Sequence, residues 1–272
     1  MSRPTLSESR GPLTDFEEKL EGADGDQWLV AFKLFLRKQN PWPEPPAVVN
    51  VLPQPAVKLT FVQAMEKAYG LLDMSVEYAE FVGQFGNAQT PGKWTLAMVQ
   101  APIRDEKGKT VGHKLTAKSI IAALKGAGSN AGTWYNDPDM AVPDNARNCN
   151  QKGSYFLDLQ QNEDPDPELA GKSQSDLKKS KKDKVSVGHI TWLERWFLEL
   201  VHFLMTWVNM DKNGIWTICA GSLDSHGDVP CIYFSHVNGK VYGSNCFLDD
   251  SNAELCARAA VPRKPKRVSE SS

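Results

Sequence analysis

The densest chemistry in this chain lies between Cys219 and Arg258, where Cys231, Tyr233, His236, Tyr242 and Cys246 fall within the short stretch "CIYFSHVNGKVYGSNC". Thiols, phenols and an imidazole at close range suggest three chemistries. A low-pKa thiol beside a cation would be a redox nucleophile. A Cys/His set with ligand spacing would hold zinc. Tyr, Ser, Asp, Asn, His and Gly together would make a contact surface, with rigid aromatic area and small adaptable polar groups. The spacing narrows the choice. The five cysteines (Cys149, Cys219, Cys231, Cys246, Cys256) form an odd set with no CxxC pair, against both a zinc knuckle and a disulfide framework. The cation nearest in sequence to Cys231 or Cys246 is Lys240, and no paired cysteine is placed for exchange. Neither a catalytic residue, nor a metal, nor a cofactor is expected.

Four short strand candidates position these residues: "WTICAG", "VPCIYF", "KVYGSN" and "ELCARAAV", separated by Ser/Asp/Gly/Asn loops, which predicts a small antiparallel sheet. A strand has period two, so Ile232 and Phe234 point one way while Cys231, Tyr233 and Ser235 point the other. Ile232, Phe234, Val241 and Leu255 are expected to face inward. Asp224, His226, Asp228, Cys231, Tyr233, Ser235, His236, Tyr242, Ser244 and Cys246 are expected on the displayed face and its loops. Beneath the sheet the spacing predicts a helix over "ITWLERWFLELVHFLMTW", opened by a Thr191/Glu194 capping box. Its apolar face would be Leu193, Trp196, Phe197, Leu200, Phe203, Leu204 and Trp207. His202 has no second ligand three or four residues away and reads as a helix or core histidine.

Residues 1–13 are Ser/Pro/Arg-rich and expected to be disordered, and residues 14–46 read as a helical segment running into the Pro-rich "NPWPEPP". A single α+β domain is expected over 47–262. Within it "FVQAMEKAYGLL" and "LTAKSIIAALKGAG" read as helices and "KWTLAMVQAPI" and "GSYFLDLQ" as strands, with "SVEYAEFVGQF" ambiguous. "TWYNDPD" reads as an Asx/Pro turn rather than a calcium loop. The Lys-rich loop at 172–186, with Lys178, Lys179, Lys181, Lys182 and Lys184, has no interleaved aromatics and reads as a solvated linker. A basic tail, 263–272, is expected to be disordered. The net charge of -2 gives no bulk pull toward nucleic acid or anionic membrane. With neither a secretory signal nor a membrane span, a soluble cytoplasmic protein with reduced thiols is expected.

The pattern "ITWLERWFLELVHFLMTW…WTICAGSLDSHGDVPCIYF…LCARAAV" resembles the C-terminal region of target (variable) proteins of diversity-generating retroelements, over about the last 80 residues. The matching positions are Leu193, Glu194, Arg195, Cys219, Ala220, Gly221, Ser222, Gly227, Val229, Pro230, Ala257 and Arg258. Leu223 and Cys256 stand where the family often has Arg, and Gly243 and Asn245 where it has apolar or aromatic residues. The resemblance implies a C-type-lectin-like fold, related to that of the formylglycine-generating enzyme. It also implies a variable region at 219–258, rewritten by a reverse transcriptase that errs at adenines. In that case the motif residues, with Ile232 and Phe234, are scaffold, and the displayed face binds a ligand, expected to be a protein, without catalysis.

That mechanism makes a compositional forecast. Randomising the first two bases of AAC or AAT cannot produce Lys, Glu, Gln, Met or Trp, which together make 63 of the 272 residues. At that frequency about seven would fall in residues 224–253, and only Lys240 does. Two other readings are a formylglycine-generating-enzyme-like oxidoreductase using Cys231 or Cys246, and a nucleic-acid-binding protein using Lys178 to Lys184 and the tail "PRKPKR". Sugar binding does not follow from the fold.

Overall fold

Thr60 and Gln63 open the first of the described helices by a reciprocal exchange in which each side chain accepts the other's backbone N–H. The computed structural model describes residues 58–85, 89–179 and 182–263. The chain divides into two units, residues 1–49 and 50–272, and every described residue belongs to the second. The helices expected within 14–46, and residues 1–13 and 264–272, lie outside the described residues.

Helix α1, Phe61–Leu71, buries Met65 and Tyr69, and the ambiguous segment after it is helix α2, Ser75–Phe85. Tertiary contact decides that ambiguity: Tyr78 stacks on Tyr69 at 4.8 Å and Phe81 packs on Phe156 at 4.8 Å, three residues apart on one helical face. Strands β1, Lys93–Met98, β2, Pro102–Arg104, and β3, Thr110–His113, precede helix α3, Ala117–Gly126, which Thr116 caps. Strands β4, Ala131–Thr133, and β5, Asp144–Asn145, helix α4, Cys149–Lys152, and strand β6, Tyr155–Gln160, follow. Helix α5, Gln174–Leu177, leads to the long helix α6, Trp192–Thr206. The C-terminal strands are β7, Trp216–Ile218, β8, Ser222–Leu223, β9, Val229–Ser235, β10, Lys240–Cys246, β11, Leu255–Ala257, and β12, Val261–Arg263. Arg263, expected in a loose tail, therefore closes a strand; it pairs with Phe156 across β6, and its Nη2 donates to Asp158 at 2.9 Å.

The class is α+β, with small sheets around α6. One sheet has the order β1–β6–β12 and another β11–β7–β9–β10–β4, and β2–β3 and β5–β8 form two-stranded ladders. The five-stranded sheet differs from the antiparallel one expected: β7, β9 and β10 are antiparallel, but β11 runs parallel to β7 and β4 parallel to β10. Parallel neighbours need crossovers, and here these run through long segments that no local turn signal announces.

Helix α6 is buried on every side from Trp192 to Leu204, rather than along one apolar stripe. Its polar residues must then be paired. Glu194 accepts from Arg147 Nε and Nη2, both at 2.9 Å, from Tyr155 Oη at 2.6 Å and from the Thr191 N–H at 2.8 Å. Arg195 donates to Glu199 at 2.7 Å and to Asp211 at 2.6 Å. Ser222 Oγ accepts the Trp192 N–H at 2.9 Å, which seats the helix start on β8. Gly221 lies so close that a Cβ there would stand 2.6 Å from His189 O and 3.0 Å from Ile190 O. Among the described residues no helix is long and apolar enough to cross a membrane.

Candidate functional site

The five-stranded sheet has two unlike faces, set by period-two alternation in register. One face packs on α6: Ile232 and Val241 are fully buried there, and Gly243 lies against the indoles of Trp192 and Trp196. Phe234 shares that face but reaches the sheet's end, so it is half-buried beside His236 rather than in the core. The opposite face holds Leu255, Trp216, Cys231, Tyr233, Lys240, Tyr242, Ser244 and Cys246. Part of it is covered, and part is open.

The covered part corrects three expectations. Cys231, expected on display, is 0 % exposed; it shares a buried cluster with Ile218, Val229, Leu177 and Leu255, so Leu255 is buried on this side of the sheet and not against α6. The cover is the Lys-rich loop, which is no free linker. Ser173 caps α5, Leu177 packs down onto the sheet with Val185 beside it, and Ser186 Oγ donates to Leu177 O at 2.8 Å. Asp224, expected on display, is 2 % exposed and organises the β8–β9 turn. Its Oδ1 accepts the N–H groups of His226 at 2.8 Å and Asp228 at 3.0 Å, while Oδ2 accepts from Tyr135 Oη and Asn245 Nδ2, both at 3.1 Å. His226 is exposed and Asp228 half-buried on that turn, and Asp228 Oδ2 accepts from Asn245 Nδ2 at 3.3 Å.

The open part carries a row of four aromatic rings across the sheet. Trp216 stacks on Tyr233 with centroids 4.1 Å apart and planes 10° from parallel. Tyr233 faces its ladder partner Tyr242 at 6.1 Å, and Tyr242 stacks on Trp134 at 5.7 Å. Rings stacked from strand to strand stand upright, presenting their edges outward. Trp134 ends the row and is 70 % exposed. Lys240 lies along the row with Nζ 4.3 Å from the Tyr242 centroid, a cation–π contact. It fits because position 132 is glycine: a Cβ there would meet Lys240 Cε at 2.8 Å. At the Trp216 end the face opens into a depression of about 120 Å³, walled by Trp216, Cys246 and Leu255 and rimmed by Asn245, Asp250, Asn252 and Glu254.

Of the residues expected on display, the structure thus brings Tyr233, Ser235, Tyr242, Ser244 and Cys246 onto one face and places exposed His236 at its turn, where it bonds Lys212 O. The ends of the row, Trp134 and Trp216, were not expected as site residues. Trp134 sits in the loop read as an Asx turn, which it is, since Asp137 Oδ1 accepts the N–H groups of Asp139 and Met140. Alternation within "WTICAG" was the one signal that could have placed Trp216 opposite Tyr233.

Four of the five thiols are buried. Burial pushes the Cys149 thiol up to about 12 and the Cys256 thiol up to about 11, and raises that of Cys219. Contact with Cys246 and burial raise the Cys231 thiol well above its ordinary value. Ser186 and His189 lie 2.6 Å apart, yet the hydroxyl already donates to Leu177 O, so the imidazole is not positioned to take its proton. Among the described residues no group of three His, Cys, Asp or Glu is placed to hold a metal ion. Compared with family models, with curated proteins and with solved structures, the chain matches none.

Proposed function

We propose that this chain is a ligand-binding protein with a C-type-lectin-like fold, whose C-terminal sheet face is diversified by a retroelement and binds a protein partner without chemistry of its own. The observation that carries the reading is the division of labour within one short segment. Of the retroelement-target pattern, Leu193, Glu194, Arg195, Cys219, Gly221, Ser222, Val229, Pro230 and Arg258 are buried around α6 and its sheet, while Gly227 is half-buried in the β8–β9 turn. Tyr233 and Tyr242, between them in sequence, stand in an open aromatic row. Tyrosine supplies rigid amphipathic contact area at low entropic cost, which suits a face that must accept changing partners. The scarcity of Lys, Glu, Gln, Met and Trp between Asp224 and Ala253 is what adenine-directed rewriting would leave.

The reading is tested by sequencing the DNA flanking the gene. A near-copy of its 3′ end, differing at adenines in codons for residues such as Tyr233, Ser235, Tyr242 and Ser244, is expected beside a reverse transcriptase gene. Absence of both would remove the retroelement from the account.

A further inference from the structure

We propose that the depression at the Trp216 end of the row seats an arginine side chain of the protein partner, as the constant anchor of an otherwise variable face; this rests on the binding reading above. The two charged residues on its rim, Asp250 and Glu254, are both carboxylates. Asp250 uses one oxygen to accept the Phe247 N–H at 3.0 Å. The Glu254 carboxylate makes no hydrogen bond or ion pair among the described residues. A cation is the complement of that rim, and the wall beside it is an indole. Guanidinium fits both better than ammonium does: it is flat, weakly hydrated, stacks on aromatic rings and offers paired donors to a carboxylate.

The size of the depression selects the kind of partner. A volume of about 120 Å³ takes one side-chain head; whole small-molecule ligands occupy sites of roughly 300 Å³ or more. The rest of the partner would lie along Tyr233, Tyr242 and Trp134, which continue from Trp216 without a break. Lys240, held on Tyr242, places the opposite charge farther along the row, so the face is polar end to end and favours one direction of an extended segment. Trp and Glu also lie beyond adenine-directed change at AAC or AAT codons. Trp216 and Glu254 would therefore persist while Tyr233 and Tyr242 vary.

The test is selection of phage-displayed random peptides on the full chain, followed by affinity measurements with the selected peptides made synthetically. Arginine is expected to be enriched. Replacing that arginine by citrulline or lysine should weaken binding roughly tenfold or more, as should Glu254→Gln with an unchanged unfolding midpoint. The citrulline peptide needs no protein variant, so the test survives a variant that folds poorly. Peptides that lose affinity on Trp134→Ala but not on arginine→citrulline would overturn the arginine seat and leave the binding face standing. Equal affinity of lysine and arginine peptides would overturn it too. Recovery of no peptide sensitive to Trp134→Ala would overturn both the seat and the face.

Discussion

Arg195 and Arg258 converge on one carboxylate: Arg195 Nη2 lies 2.6 Å from Asp211 Oδ2 and Arg258 Nη2 lies 3.1 Å from Asp211 Oδ1. All three are buried, and Thr217 Oγ1 donates to the same Oδ2 at 2.5 Å. Burial alone would lower the Arg195 guanidinium; Asp211 and Glu199 outweigh it and hold its pKa above the ordinary value. The cluster ties the first turn of α6 to the residue after β11 and to β7, and so fixes the sheet on its supporting helix.

Asp211→Asn is expected to destabilise the fold by about 3–5 kcal/mol, because it leaves two buried guanidinium groups without their shared counter-charge. Urea unfolding measures this. A loss below about 1 kcal/mol would mean the cluster is hydrated and does not bind helix to sheet.

Two glycines should respond in opposite senses to the same added methyl. A Cβ at Gly243 would meet Trp196 Cζ2 at 2.8 Å and also collide with Trp192, so Gly243→Ala is expected to cost about 1–3 kcal/mol through overpacking. Gly83 is exposed within α2 with nothing within 4 Å, so Gly83→Ala should stabilise by about 0.5–1 kcal/mol. Thermal midpoints moving the same way in both would contradict the packing of α6 against β10.

Stability should fall as the medium is acidified from about pH 6.5 toward 4. His202 is buried, donates Nδ1–H to Val208 O at 2.9 Å, and has Nε2 without a hydrogen bond beneath Glu163, 3.9 Å away. Burial lowers its pKa from 6.5 to about 4, against a smaller opposing pull from Glu163. The folded state therefore refuses a proton that the unfolded chain accepts. The contribution is fully present above pH 6.5 and is lost as pH falls through this window, up to about 3 kcal/mol. His189, also lowered to about 4, acts in the same direction with less force because it is partly solvated. His202→Gln should flatten the dependence of the urea midpoint on pH between 4 and 6.5. An unaltered slope in that variant would show that His202 is protonated in the fold.

Asp224 and Asp228 lie on one turn, and their alanine variants should part company. Asp224→Ala removes a carboxylate accepting four hydrogen bonds and is expected to cost on the order of 1–3 kcal/mol. Asp228→Ala should change stability by about 0.5 kcal/mol or less, as should Ser235→Ala. A library varied at His226, Asp228, Tyr233, Ser235, His236, Tyr242 and Ser244 should stay mostly folded. One varied at Asp224, Cys231, Ile232 and Val241 should mostly aggregate. Equally poor folding of the two libraries would mean that the open face is core.

The α6 helix, its Thr191/Glu194 cap and the alternation along β9 and β10 were readable from residue order alone, because capping and periodicity are local: each depends on residues within a few positions. Local alternation says which side chains share a face, but not what lies over that face. Burial of Cys231 depends on Leu177, delivered by a Lys-rich loop whose charge announced solvent and whose single leucine did the covering. Leu255 is buried under that loop and not against α6 because β11 joins β7 in parallel, and no turn signal encodes a crossover partner. Asp211 emerged as the hub of the buried charges only when Arg195 and Arg258 were brought together. Trp134 and Trp216 became the two ends of a row containing Tyr233 and Tyr242 by the same route: strands distant in the chain were laid side by side, and stacking is a property of that juxtaposition.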